Sequence, residues 1–202
     1  MNQVSPGRFQ MRFILTLSLA VVVGCATARE IIALRQVEFR FDRIAGARVA
    51  GIPLGRIRSY SDLTPIDLGR LGVAMAGRDV PLDLTVHLEG RNPETNKVTA
   101  RLVSMDWSYL VDDREAVSGH LPDALTFPPG EPRDVPLLVT FNLMDMFGDR
   151  RRDLIDVALA LAGQRTSTHR VVLRIEPTVQ TRFGPIRYPT PITIDLSRAP
   201  SR

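Results

Sequence analysis

The sequence has little of the residue types that build most reactive sites. Its 202 residues include one cysteine and three histidines. A single cysteine excludes an internal disulfide and a thiolate metal cluster, and one soft ligand without nearby histidines makes a poor zinc site. Cys25 is therefore a small buried residue, a nucleophile or a target for modification.

Lysine is nearly absent as well, because Lys97 is the only one among the 26 basic residues. A GC-rich genome explains this preference for arginine over lysine better than a binding site does. The formal net charge is +4, and it falls to +2 when Arg8 and Arg12 are subtracted with the amino-terminal segment. Glycine-rich phosphate loops and nucleic-acid motifs are also missing. The sequence therefore predicts no nucleic-acid partner.

The long apolar run, "FILTLSLAVVV", follows Arg8 and Arg12 and ends just before the cysteine. It is shorter than the roughly 20 residues that a membrane-spanning helix needs. Its basic flank and its length are typical of a cleavable export signal. The stretch from Met11 to Cys25 is already a complete signal, which makes Met11 an alternative start.

The residues Val22, Val23 and Gly24, directly before Cys25, resemble the lipobox of bacterial lipoproteins. In that family the cysteine sulfur receives a diacylglyceryl group, the signal is cut before it, and the new amino terminus is acylated. The resemblance implies a removed signal at 1–24 and an anchor in membrane lipid, stabilised by ~0.8 kcal/mol per buried methylene. An alternative is an ordinary signal cut after "ATA", with Cys25 as a small buried residue.

The segment after Cys25 is too short to form a domain of its own, so residues 25–33 are expected to be a lipidated tether. Ala26 follows the cysteine, and the sorting rule of Gram-negative lipoproteins implies delivery to the outer membrane, facing the periplasm, when that residue is not aspartate. We therefore expect a lipid-anchored protein of the cell envelope.

Alternating apolar and polar residues dominate residues 34–198. This period of two is typical of half-buried strands, and about seven strands with turn signals predict an antiparallel fibronectin/immunoglobulin-like β-sandwich. Asp112 and Asp113 are expected to form a hairpin turn. Pro189 and Pro191 place the final strand at an edge. The strand segments are "LRQVEFRFDR", "PLDLTVHLEGRNP", "VSMDWSYLV", its return strand through Val117, "RDVPLLVTFNL", "HRVVLRIEPTVQT" and "IRYPTPITIDL".

Two short helices interrupt the strands. In "TPIDLGRLGVAMAG", Thr64 and Asp67 form a capping box around Pro65, and Gly77 ends the helix. The glycines inside it suggest a face that lies close against a sheet. In "GDRRRDLIDVALALAG" an apolar face is followed by Gly163 as the stop. Both helices are expected to cover the sandwich.

The order of motifs from residue 34 to 143 resembles the LEA type 2 family (late embryogenesis abundant, group 2, with the water-stress and hypersensitive-response domain). A strand ends in Asn92-Pro93, an aromatic strand follows, and a polar turn leads to a short strand ending near a glycine. Glu94 departs from the pattern, since the family often repeats asparagine there. The motif residues are Asn92, Pro93, Asp106, Trp107, Tyr109 and Gly119. The resemblance implies protection or binding under desiccation or other stress, without catalysis.

Candidate reactive groups do not assemble into a site in the sequence. His87 and Glu89 could hold a metal, yet no third ligand is visible, and solvated sheet surface explains them better. Asp112 and Asp113 serve a turn. The serine–histidine pairs Ser118/His120 and Ser167/His169 lack a nucleophile elbow and an oriented acid. The sequence therefore predicts no catalytic residue, no metal and no cofactor.

Arginines crowd the start of the second helix, at Arg150, Arg151 and Arg152. A helix start disfavours cations, so either solvent screens them or an anion, such as a lipid headgroup or an acidic partner, compensates them. Three hypotheses follow: a stress-protective envelope lipoprotein, an interaction, assembly or apolar-ligand-binding lipoprotein with an envelope protein partner, and a hydrolase. An apolar pocket beside the helix at 65–76 would favour the second.

Overall fold

The computed structural model describes residues 37–147, 151–164, 169–181 and 184–196, without the side chains of 151–153 and 181. The lipobox, Cys25 and the tether predicted at 25–33 lie outside the described residues. None of the helices in the described ranges is long and apolar enough to cross a membrane.

The described residues form an antiparallel β-sandwich, as predicted. The first sheet has the order β2-β1-β3-β7 and the second β10-β8-β4-β5, with β6 on β4 and β9 on β8. The first sheet contains β1 (Glu38–Val49), β2 (Ile52–Pro53), β3 (Pro81–Arg91) and β7 (Pro132–Asn142). The second contains β4 (Ala100–Val111), β5 (Arg114–Leu121), β6 (Leu125–Phe127), β8 (Val171–Thr181), β9 (Gly184–Arg187) and β10 (Ile192–Asp195).

The inward faces of both sheets pack into one apolar core. The alternation in β3 buries every second side chain, and the same holds for β4 from Met105 to Tyr109. The core side chains of these two strands include Leu82, Leu84, Val86, Leu88, Met105, Trp107 and Tyr109. Burial of such side chains contributes about 1.5–3 kcal/mol each, so the two alternating strands fix the orientation of the sheets.

Three helices lie among the described residues: α1 (Pro65–Ala76), α2 (Leu143–Phe147) and α3 (Arg151–Leu161). The predicted apolar face of α3 is confirmed, because Leu154, Ile155 and Ala158 are fully buried in the core. Gly163 follows with a φ of 71°, a left-handed conformation that glycine adopts readily after a helix. The helix therefore closes one side of the sandwich.

Two expectations about single elements are corrected. The final strand divides into β9 and β10, which pair with different halves of β8 along the same side, because Pro189 and Pro191 cannot donate to a continuous ladder. The glycines of α1 do not face a sheet, since a Cβ at Gly69 or Gly72 would meet nothing within 4 Å. That side of α1 is open.

Candidate binding surfaces

Helix α1 is held against the sandwich by one face and by its amino terminus. Leu71 and Met75 are buried, whereas Leu68 is 38% exposed at the edge of that face. The predicted capping box is present: the Asp67 backbone N–H donates to Thr64 Oγ1 over 3.2 Å, and the Thr64 backbone N–H donates to Asp67 Oδ2 over 3.0 Å. The capping box fixes the residue at which the helix begins.

The Asp67 carboxylate is buried and bears three hydrogen bonds on Oδ2. The Thr64 hydroxyl donates over 2.7 Å, the Arg56 guanidinium over 2.7 Å, and the Thr64 backbone N–H is the third donor. These bonds, with the Thr64 hydroxyl the largest cause, lower the pKa of Asp67 to about 2. The carboxylate is therefore ionised in the folded protein at every physiological pH.

The outer face of α1 exposes large apolar side chains. Ile66 is 70% exposed and Val73 is 76% exposed, and they lie seven residues apart on the same face with Gly69 between them. They border an open groove of about 570 Å³ between the helix and the start of β3. We call this surface the apolar groove; it is lined by Ala50, Ile66, Gly69, Arg70, Val73, Ala74, Asp79 and Pro81.

A second concavity, of about 390 Å³, lies on the outer face of the second sheet. We call it the polar groove; it is lined by Asp106, Ser108, Ser118, His120, Arg174, Glu176 and Arg187, with Trp107 and Gly119 also bordering it. Arg187 Nη2 lies 2.9 Å from Asp106 Oδ2 and 2.6 Å from Glu176 Oε2. Arg187 therefore forms ion pairs with both acids of the groove.

The pair Ser118/His120 lies in the polar groove, and the structure adds an acid that the sequence did not predict. His120 Nδ1 lies 2.6 Å from Asp106 Oδ1. The two side chains are 54% and 41% exposed. Among the described contacts, none joins Ser118 or Ser108 to His120. An open histidine–carboxylate pair without a bonded hydroxyl is not a nucleophilic triad.

The remaining reactive candidates have structural partners. His87 Nδ1 lies 2.8 Å from Asp134 Oδ1 across β3 and β7 and 3.2 Å from Arg43 Nη2, and no described hydrogen bond or ion pair joins it to Glu89. No group of three metal-ligating side chains occurs in the parts of the chain that the structure describes. Asp112 and Asp113 form the predicted turn between β4 and β5, with φ values of 50° and 61°.

The acids of that turn also hold the start of β8. The Arg170 backbone N–H donates to Asp112 Oδ1 over 2.9 Å, and His169 Nδ1 lies 2.6 Å from Asp112 Oδ2. The hydrogen bond with His169 is the main cause that lowers the pKa of Asp112. Ser167 lies outside the described residues, so its pairing with His169 stays an untested alternative.

Asn92 is fully buried, and its side chain bonds the backbone of two separate segments. Its Nδ2 donates to the carbonyl oxygens of Val98 and Phe127 over 3.0 and 2.7 Å, and its Oδ1 accepts from Asn96 Nδ2 over 2.7 Å. The Asn92 carbonyl accepts from the Gly130 N–H. The amide therefore joins the loop after β3 to the end of β6.

Other motif residues are packing residues. Trp107 is buried with only 7% exposure, and a Cβ at Gly119 would lie 2.3 Å from its ring. Only glycine fits opposite that ring. Tyr109 is fully buried, with its ring centroid 5.8 Å from that of Phe141. Arg150 lies outside the described residues, and the side chains of Arg151 and Arg152 are not described either.

The exposed side chains that line the two grooves were not predicted from the sequence. Ile66 and Val73 belong to an amphipathic helix whose apolar residues extend around more of its circumference than the face that packs on the core. Arg174 and Glu176 alternate with buried residues of β8, a pattern that placed them outward but did not reveal their neighbours. Only strand pairing brings them beside Ser108 and Asp106.

Comparisons with known proteins give distant structural similarities. No protein-family model and no curated sequence matches the chain. A protein from Archaeoglobus fulgidus is similar at 10% identity and a TM-score of 0.37, over 77% of this chain and 93% of that one. A late embryogenesis abundant (LEA) protein solved in solution is similar at 14% identity and a TM-score of 0.34, over 94% and 89%. Scores this low support no inference about function.

Proposed function

We propose that this chain is a non-enzymatic, lipid-anchored protein of the cell envelope whose LEA type 2-like sandwich binds and protects envelope components under desiccation or other stress. The observation that carries the proposal is the apolar groove. Ile66 and Val73, 70% and 76% exposed on one helix face, offer a contiguous apolar surface for segments that other proteins expose when water is lost.

The anchor in this proposal rests on the amino-terminal sequence. Val22, Val23 and Gly24 before Cys25 would direct acylation of the cysteine, and the acyl chains would hold the sandwich in the outer membrane, facing the periplasm. No catalytic role is proposed for His120 and Asp106, whose side chains are 54% and 41% exposed.

A drying assay tests the groove. The full chain is dried and rehydrated with malate dehydrogenase as a model client, and the recovered enzyme activity and light scattering are measured. We expect the double variant Ile66→Ser/Val73→Ser to lose most of the protection that the unchanged chain gives. Both side chains are exposed, so the free energy of unfolding should change by no more than about 1 kcal/mol in total.

Leu138→Ser is the matched control, because Leu138 is 79% exposed on the outer face of the first sheet, outside the apolar groove. It removes an equally exposed apolar side chain and should retain full protection. Equal protection by the double variant and the unchanged chain would reject the groove as the protective surface.

A dedicated partner is the second candidate function, in which the protein acts in assembly or binds an apolar ligand. An apolar pocket beside this helix was the expected sign of that function, so the apolar groove supports both candidates. Arg70 and Asp79 line the groove beside its apolar residues, and an apolar centre with charged neighbours is the usual anatomy of a protein interface. A photo-crosslinking residue at Val73 in native membranes separates the two functions. One discrete adduct at all water contents would favour a dedicated partner, and many adducts that increase on drying would favour protection.

A further inference from the structure

The polar groove presents its side chains in two parallel rows across the second sheet. Ser118, Ser108 and Arg174 are direct partners on β5, β4 and β8. Two residues further along each strand, His120, Asp106 and Glu176 are direct partners in the same way. Neighbouring strands are about 4.8 Å apart, so each row spans about 10 Å.

Each carboxylate in the row of His120, Asp106 and Glu176 already has a partner. Arg187 binds both carboxylates, with Nη2 at 2.9 Å from Asp106 and both Nη2 and Nε within 2.9 Å of Glu176. The second oxygen of Asp106 is occupied by His120 Nδ1. Both acids are therefore paired with Arg187, and no described contact joins either of them to Arg174.

The row of Ser118, Ser108 and Arg174 has unused donors. Within the described ranges, the Arg174 guanidinium makes no ion pair or hydrogen bond, and the same is true of the side-chain hydroxyls of Ser108 and Ser118. Arg174 and Ser118 are exposed and Ser108 is half-buried. One cation and two hydroxyls thus line the same concavity with their hydrogen-bonding capacity free.

We propose that this row binds a phosphate group. A guanidinium matches two oxygens of a tetrahedral oxyanion through a bidentate contact, and the two hydroxyls can donate to a third oxygen. A carboxylate whose two oxygens both face the guanidinium has no third oxygen to present to the serines, so it gains less from them than a phosphate does. A volume of about 390 Å³ admits the phosphate together with part of the group that carries it.

The phosphate could belong to a free soluble compound or to a lipid headgroup, and two probes separate these sources. Inorganic phosphate and dihexanoyl phosphatidylglycerol, the latter below its micelle concentration, are titrated into the full chain. Backbone amide shifts of Ser108 and Ser118 are followed by NMR. Saturable shifts with inorganic phosphate support a free source, and saturable shifts with the short lipid alone support a headgroup.

Arg174→Gln removes the charge and the bidentate fork, and we expect at least a tenfold weaker phosphate affinity, about the effect of losing one charge-assisted hydrogen bond. Arg101→Gln is the matched control, because Arg101 is exposed on β4 of the same sheet but lies outside the groove. Ser108→Ala/Ser118→Ala should weaken phosphate severalfold and leave acetate unaffected.

Three outcomes would overturn the proposal. One is the absence of saturable shifts with either probe, and another is binding that is equally weakened by Arg174→Gln and Arg101→Gln. Equal affinity for acetate and phosphate would also overturn it, because the serines would then contribute nothing. Thermal unfolding followed by circular dichroism checks that each variant is folded.

Discussion

At the scale of single residues, Tyr109 is the side chain that the core accommodates least well. It is fully buried, and no described protein atom bonds its hydroxyl. Burial raises the pKa of Tyr109 well above its usual range, because the core cannot solvate a phenolate. The ring itself packs against Phe141. The unbonded hydroxyl therefore lowers the free energy of unfolding, and the packing of the ring offsets this loss.

Tyr109→Phe keeps the ring and removes the unbonded hydroxyl. We expect the free energy of unfolding to stay the same or to rise by about 1 kcal/mol, because an unsatisfied buried hydroxyl costs about that much. Urea denaturation measures the change. Tyr60→Phe, at a half-buried site, should change stability very little. A loss of more than about 1 kcal/mol in Tyr109→Phe would show that the hydroxyl bonds an internal water.

Single residues also show what a sequence can predict. A residue before a proline is pushed to an extended conformation and an asparagine there can bond a turning backbone, and the Asn92 amide does bond the backbone. Its second bond, to the Phe127 carbonyl, was not predictable, since β6 lies 35 residues away and is only three residues long. A contact that depends on a short, weakly patterned strand leaves no local signal.

At the scale of elements, the pH dependence of stability should be greatest at the start of α1. The folded pKa of Asp67, about 2, lies below the ordinary value of 3.8. A lowered pKa contributes stability that is complete above the ordinary value and is lost as the pH falls through the folded value. The contribution should therefore disappear between about pH 4 and pH 2.

Asp67→Asn removes this ionised cap. We expect the variant to be less stable than the unchanged chain above pH 5, and the difference to shrink as the pH falls from about 4 to 2. Thermal unfolding at a series of pH values measures it. Asp123→Asn, in the exposed loop after β5, should show no such convergence. A difference that is independent of pH would mean that the charge of Asp67 does not stabilise the cap.

Strong periodicity explains which elements were predictable. Strand β3 alternates along its length, β4 alternates from Met105 to Tyr109, and helix α1 has both caps, so their positions are confirmed. The second half of β1 was missed because Gly46 and alanines weaken its pattern and because two register shifts interrupt its pairing with β3. Helix α2 was not predicted: its first residue, Leu143, ends a predicted strand, and its other residues belong to no predicted element, since five residues are too few for a helical period.

At the scale of the whole molecule, acylation of Cys25 would decide where the sandwich acts. We expect protein purified from membranes of its native host to have an intact mass that begins at Cys25 and includes added acyl chains. Cys25→Ser should lose both the acyl mass and the membrane association. A soluble protein cut elsewhere, and unchanged by the substitution, would contradict the anchor.

The grooves were the part of the molecule that the sequence could not predict. Each forms between segments distant in the chain: α1 and the start of β3 in one case, and β4, β5 and β8 in the other. The outward direction of Arg174 followed from alternation, but the sequence does not state which strand lies beside β8. Which strand lies beside β8 is decided by long-range strand pairing. The same pairing sets the neighbours of both the buried and the exposed side chains of β8.

Strand β1 sets the distance between the two ends of the sandwich. It begins beside Arg91 and ends at Val49, next to the apolar groove, and its 12 residues span about 40 Å. The 13 residues from Cys25 to Val37 would add at most about 45 Å. An anchored chain would thus confine its groove to a layer about 85 Å deep, where local concentration lets a weak affinity give high occupancy.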